Sequence, residues 1–181
     1  ITVTCMDVDR HIIEMLNQDE MPIYEPGLSE IVRKNRETGR LFFTTDLKEA
    51  LADADAVFIA VVTPPDVDGS ADLRYVLGVA GQIGEILDSY IVVVTKSTVP
   101  VGTNAKVRDA VAGVLKERGV DIPFDVASNP EFLKEGDAVN DFISPDRIVI
   151  GVESERARKV MDRLYHAFLL NNTPILYMDI L

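Results

Sequence analysis

Short apolar runs alternate along this chain with stretches in which apolar residues recur every three or four positions. The runs are Ile1 to Met6, Leu41 to Thr44, Ala56 to Val62, Ile91 to Thr95, Phe124 to Ala127, Arg147 to Val152 and Pro174 to Met178. They are short and rich in β-branched residues, the signature of buried strands. Between them, Asp9 to Gln18 reads as a helix with Ile12, Ile13 and Leu16 on one face. Leu28 to Asn35 is a second, and Asp46 to Ala52 a short one with Asp46 as N-cap. A long helix over Asp72 to Leu87 carries an apolar stripe through Val76, Leu77, Val79, Ala80, Ile83, Ile86 and Leu87. Gly102 to Gly119 contains the next, closed by Gly119. A short helix is expected over Pro130 to Glu135, stopped at Gly136, and a longer one over Glu155 to Ala167. Pro22 to Gly27 and Thr63 to Ala71 are loops.

Strands that are apolar on both faces and separated by helices build a parallel sheet covered on each side, a doubly wound α/β fold. In such folds a dinucleotide is held by a G-x-G-x-x-G turn after the first strand, with an acid closing the second. Asp7 closes the first strand here and the glycine pattern is absent. Either this is another α/β fold, or the first strand and helix of a dinucleotide-binding domain lie before Ile1.

The chain has 181 residues, 47% of them apolar, enough for a core. The formal net charge is 18 − 30 = −12, which argues against a general binder of nucleic acid or anionic membrane. A small phosphorylated ligand stays open, because backbone N–H groups hold phosphates without net positive charge. No apolar run reaches the roughly 18 residues of a membrane span. The chain opens directly in a strand-like segment, so no leader is expected. One cysteine and two scattered histidines give neither a disulfide framework nor a zinc set, and no metal is expected. The plain expectation is a cytoplasmic protein.

Candidate chemistry collects where strands end, because ligands of open α/β sheets bind at the carboxyl ends of strands. Asp7 reads as a carboxylate for an adenosine ribose or as the N-cap of the next helix. Val61, Val62, Thr63, Pro64 and Pro65 follow a buried strand, either as a ligand loop with Thr63 as hydroxyl donor or as a proline-stiffened turn. Lys96, Ser97, Thr98 and Val99 follow another. Thr98 is placed for a ligand or a water, and the alternative is that Ser97, Thr98 or Thr103 caps the next helix. Lys96 reads as a phosphate contact or as a solvated lysine. Asn129 and Pro130 read as N-cap and first helical residue, which would put Glu131 and Glu135 on one helix face. A carboxylate there relays protons or orders a water; the plainer reading is acids favoured by a helix N-terminus. Cys5 reads as a buried hydrophobe in mid-strand.

Taken in order and spacing, MDVD, PIYEPGL, GRLFFTTDL, IAVVTPP, GSADL, TKSTVPVGT, SNPEFLKEG and SPDRIVIG resemble the N-terminal half of the UDP-glucose/GDP-mannose dehydrogenase family over essentially the whole chain. The resemblance implies a Rossmann-like NAD-binding domain at residues 1–181, with a central helix and a C-terminal sugar-nucleotide domain outside the chain. It implies two successive hydride transfers to NAD from the C6 alcohol of a UDP-sugar, through a cysteine and a lysine later in the family's chain. STVPVGT and SPDRIVIG are most similar to members acting on UDP-glucose, which yield UDP-glucuronate. Members acting on GDP-mannose or UDP-N-acetylmannosamine, or a non-catalytic nucleotide-binding module, are the alternatives.

By resemblance, Asp7 is the ribose acid. Val61, Val62, Thr63, Pro64 and Pro65 form the first cofactor loop, and Ser97, Thr98 and Val99 the second, with Thr98 also near the catalytic water. Glu131 is the acid–base carboxylate. Glu131, Phe132, Leu133, Lys134 and Glu135 run along the sugar nucleotide, with Glu135 near the nicotinamide. The chain departs from the family's pattern at Ile12, where a basic residue is usual, and at Val62, where Gly or Asn is common. A homodimer is implied, paired through a helix after Leu181. The 181 residues alone are expected to be inactive.

Overall fold

The structure, a computed structural model, describes residues 1–65, 71–169 and 173–180. They form two compact units. The first comprises Ile1–Asp53 and Phe132–Asp146, the second Ala54–Glu131 and Arg147–Leu181.

In the first unit β1 (Val3–Met6) pairs in parallel with β2 (Leu41–Thr44), Val3 opposite Leu41 and Met6 opposite Thr44. The strands are linked by α1 (Arg10–Asn17) and α2 (Leu28–Glu37). Their apolar stripes bury Ile13 and Val32. The short α3 (Leu47–Leu51) starts where Asp46 accepts from the backbone N–H groups of Lys48 and Glu49, the cap read from the sequence. Side chains alternate along β1, and its outward positions are Val3 and Cys5. Cys5 is therefore exposed, not buried as expected. A two-stranded sheet leaves one side of this strand uncovered.

The second unit is a five-stranded sheet in the order β3 (Ala56–Ile59), β4 (Ile91–Thr95), β5 (Phe124–Ser128), β6 (Ile148–Val152), β7 (Ile175–Met178). β4 lies second in the order and every one of its residues is buried. Val92 and Val94 pack with Ala127, Ile148 and Ile150 under Ala157, Val160, Met161 and Tyr165 of α7 (Glu155–Leu169). Ile91 and Val93 point to the other face, which is left to α4 (Arg74–Ile86) and α5 (Thr103–Glu117). Those two helices meet closely at Gly84. A Cβ there would lie 2.9 Å from Val114 Cβ and 3.1 Å from the Val111 carbonyl. Arg118 ties the same corner, donating to the carbonyls of Gly84 and Leu87 at 2.6 and 2.7 Å.

The α/β class is as read, with one exception to the parallel sheet. β5 and β6 run antiparallel, Ala127 opposite Val152 and Ser128 opposite Gly151. Residues 132–146 leave this unit and return. No helix of the second unit carries the chain back to the amino end of β5 before β6 begins, so β6 enters from the carboxyl end.

Candidate cofactor and active site

The first candidate group ends β1. The Asp7 amide donates to the Thr44 carbonyl at 3.2 Å, continuing the ladder by one residue. Its Oδ1 accepts from the Asp9 amide at 2.8 Å. The N-cap of α1 is Asp9, whose carboxylate takes the His11 amide. Of the two readings of Asp7, the helix cap is thus taken by another residue. Its Oδ2 has no hydrogen-bond partner among the described residues.

The second group belongs to the five-stranded unit. β3, β4 and β5 are neighbours and parallel, so the residues that follow them emerge at one edge. After β3 come Val61 to Pro65, after β4 Lys96 to Val99, after β5 Asn129 to Glu131. The first two loops are stitched together. Ser97 Oγ donates to the Val61 carbonyl at 2.6 Å, and Thr63 Oγ1 donates to the Thr98 carbonyl at 3.0 Å. The Lys96 amide donates to the Ile59 carbonyl at 2.9 Å. The Pro64 carbonyl accepts from the Asp72 amide at 2.8 Å, and Pro65 bridges to Ala71. Val62 is 72% exposed and its backbone is not left-handed, so a β-branched residue stands there without strain. The Thr98 side chain is exposed at the same edge. Neither Ser97 nor Thr98 caps α5. Its N-cap is Gly102, with φ +84°, and Thr103 Oγ1 closes the turn on the Pro100 carbonyl at 2.7 Å.

The expected helix over Pro130 to Glu135 does not form. Residues 129–134 are irregular, a turn follows, and the helix is α6 (Ala138–Ile143). The N-cap reading fails because the Asn129 side chain is already committed. Asn129 is 1% exposed. Its Oδ1 accepts from the Tyr165 hydroxyl and from Lys96 Nζ, and its Nδ2 donates to the Val149 carbonyl at 2.9 Å. Glu131 and Glu135 consequently do not share a helix face, and they fall in different units. Glu131 is exposed at the end of its unit.

Lys96 is half-buried and not the solvated lysine of the plainer reading. Burial pulls its ammonium below the usual lysine range, and attraction to Glu131 works against that. The Lys96, Asn129 and Tyr165 network beneath Glu131 was not legible in the chain. Its one sequence signal is a tyrosine on the apolar stripe of α7, since a buried hydroxyl needs a partner. Burial pushes that hydroxyl up to about 12.

In the first unit, the segment Phe132 to Glu135 runs exposed, with Phe132 at 56% and Leu133 at 40%. The Lys134 amide donates to Asp141 at 2.9 Å. The amides of Gly136 and Ala138 donate to Glu25, a residue not singled out in the sequence.

These residues suit a nicotinamide dinucleotide. Thr95 Oγ1 and Asn104 Oδ1 are buried without a partner among the described residues, at the carboxyl end of β4 and in the first turn of α5. Unmet acceptors beside such loops fit a ligand that brings hydroxyl and carboxamide donors. Asp7, with a free carboxylate oxygen, fits a ribose diol and opposes a 2′-phosphate. Among the described residues no group of His, Cys, Asp or Glu is arranged to hold a metal ion. No helix among them is long and apolar enough to cross a membrane.

Known proteins resemble this chain in sequence and in fold. The chain is 49% identical over 176 residues to a UDP-glucose 6-dehydrogenase of Pseudomonas aeruginosa, covering 97% of this chain and 39% of that protein. It superposes with a TM-score of 0.88 on a UDP-glucose dehydrogenase of the hyperthermophilic archaeon Pyrobaculum islandicum, 45% identical, over 98% of this chain and 40% of that one. It superposes equally well, TM-score 0.88, on a GDP-mannose dehydrogenase of Pseudomonas aeruginosa crystallised as a ternary complex, at 34% identity over 98% of this chain and 41% of that one. The chain thus spans about two fifths of the length of these relatives. The sequence model of the UDP-glucose/GDP-mannose dehydrogenase family, NAD-binding domain, matches residues 1–169. The chain belongs to that family, and its cofactor is NAD.

Proposed function

We propose that this chain is the NAD-binding part of an enzyme that oxidises UDP-glucose to UDP-glucuronate. The observation that carries the reading is the shared edge of β3, β4 and β5, where two stitched loops and Glu131 emerge together. The higher identity to proteins named for UDP-glucose than to the GDP-mannose enzyme supports the choice of sugar.

Bound NAD supplies hydride acceptance. This chain's residues do the rest of the work assigned to it. Asp7 holds the adenosine ribose through charge-assisted hydrogen bonds. Val61, Val62, Thr63, Pro64 and Pro65, with Ser97, Thr98 and Val99, form the shelf on which the cofactor lies. Thr98 offers its exposed hydroxyl to a water. Glu131 takes the proton as that water attacks, and its charge offsets part of the burial that lowers the Lys96 ammonium. Phe132, Leu133, Lys134 and Glu135 line the sugar nucleotide, with Glu135 toward the nicotinamide. In this reading the reactive thiol and its lysine belong to a central helix and C-terminal domain outside the chain. The whole is a cytoplasmic homodimer.

The test is Glu131→Gln in the full-length protein. Turnover is expected to fall about 10²–10⁴-fold, the usual worth of general acid–base help, with UDP-glucose affinity nearly kept. A variant at full speed ends the assignment. Product analysis with UDP-glucose, GDP-mannose and UDP-N-acetylmannosamine decides the sugar, and NAD binding with no NADH formed from any of them would leave a non-catalytic module.

A further inference from the structure

We infer that Glu25 is a positioning residue that fixes the sugar-nucleotide segment Phe132–Glu135 from a distance of more than a hundred residues in the chain. The inference rests on the functional reading above for what that segment binds, and on geometry alone for the hold itself.

Glu25 lies in the turn-rich stretch before α2, and its side chain does not cap that helix. The N-cap of α2 is Gly27, left-handed at φ +83°, and no side chain caps that helix. The Glu25 carbonyl closes the local turn by accepting from the Leu28 amide at 3.1 Å. Its carboxylate faces elsewhere. Oε1 accepts from the Gly136 amide at 2.7 Å and Oε2 from the Ala138 amide at 3.3 Å. A single carboxylate thus spans the turn from the end of the segment into α6.

The rest of that turn is also accounted for. The Asp137 amide donates to the Lys134 carbonyl at 3.1 Å, and the Lys134 amide donates to Asp141. Asp137, the N-cap of α6, makes no side-chain cap bond, so Glu25 does what the local cap does not. Gly136 takes φ +84°, the conformation that presents its N–H to Glu25 and that other residues adopt with strain. The Asp141 contact is local and would survive in any loop that keeps α6. The Glu25 contact is long-range and sets where the segment's far end lies. Phe132 and Leu133 are held out beside it, half-exposed. Positioning of this kind acts on whatever the segment touches, because a displacement of about 1 Å costs a binding or reacting group much of its effect.

The experiment uses full-length wild-type protein, Glu25→Ala and Glu25→Gln. Amide hydrogen exchange is the first measurement and needs no substrate. Exchange at Gly136 and Ala138 should rise about tenfold or more in Glu25→Ala and less in Glu25→Gln, whose Oε1 still accepts one N–H, while β4 stays protected. Unchanged exchange at both amides would show that Glu25 does not hold the turn. Kinetics follow with the sugar nucleotide that the wild-type protein oxidises. KM for it should rise roughly tenfold in Glu25→Ala with partial recovery in Glu25→Gln, and KM for NAD should rise less, about two- to threefold, since only Glu135 of the segment faces the nicotinamide. Faster exchange with an unmoved sugar-nucleotide KM, or an equal rise in both KM values, overturns the positioning role. A wild-type protein that oxidises no sugar nucleotide sinks the functional reading and the substrate half of this inference together, and the exchange data still judge the hold.

Discussion

The buried amide of Asn129 offers a test whose size follows from its partners. Truncation in Asn129→Ala removes bonds to the Tyr165 hydroxyl, the Val149 carbonyl and Lys96. Tyr165 is 7% exposed, and its hydroxyl is left without an acceptor. The Val149 carbonyl loses its side-chain donor, and Lys96, half-buried, is rescued by water. Two orphaned groups at about 1–3 kcal/mol each put the loss at about 2–6 kcal/mol. Tyr165→Phe removes one donor from an oxygen that Lys96 still reaches, so it should cost only about 1 kcal/mol. In the double variant no hydroxyl is stranded, so the combined cost should fall short of the sum by about 1–2 kcal/mol. Urea titration of the four full-length proteins, read from midpoint shifts, measures this. Single costs that add within about 0.5 kcal/mol would refute the network. Alkali gives a second reading. With its hydroxyl pushed by burial to about 12, Tyr165 keeps its proton when folded while the unfolded side chain ionises near 10. Its stabilisation is therefore whole below about pH 10 and is lost as pH rises to about 12, some 3 kcal/mol in order of magnitude. Tyr165→Phe should lack that loss.

Asp7→Asn in the full-length protein should weaken NAD binding about 10- to 100-fold and leave UDP-glucose binding unchanged, because charge-assisted bonds to a ribose diol are lost. Separate calorimetric titrations check this, and equal losses for both ligands argue against the ribose role. Gly84→Ala should destabilise by about 1–2 kcal/mol, crowding Val114 by more than the gain in helix propensity returns. Gly81→Ala, on the same helix with no neighbour within 4 Å, should stabilise by about 0.5–1 kcal/mol, and a matching gain at Gly84 would disprove the close approach.

The local grammar of the fold was legible in the chain. β2 and β4 begin and end where their apolar runs do, and Asp46 caps α3 as its position implies. What failed was decided by contacts distant in sequence. β3 stops at Ile59 although the apolar run continues to Val62, because the chain beyond Ile59 turns to meet Ser97. The N-cap signature at Asn129 and Pro130 was overridden by Tyr165, 36 residues away. The reversed direction of β6 depends on a connection that leaves its unit and returns. The candidate ligand loops could be found because they follow buried strands. The contacts that Lys96, Asn129 and Glu25 make could not, since each depends on a partner no local pattern names.

The crossed hydroxyl bonds of Ser97 and Thr63 bear on how a ligand would be received. Each loop fastens the other through a main-chain carbonyl, so neither wanders alone. Fluctuations of residues 61–63 and 97–99 are then shared, and a molecule that quiets one loop quiets its neighbour. Part of the ordering that binding would otherwise require is made by these two bonds on folding. A ligand landing on either loop would then meet a surface braced by the other.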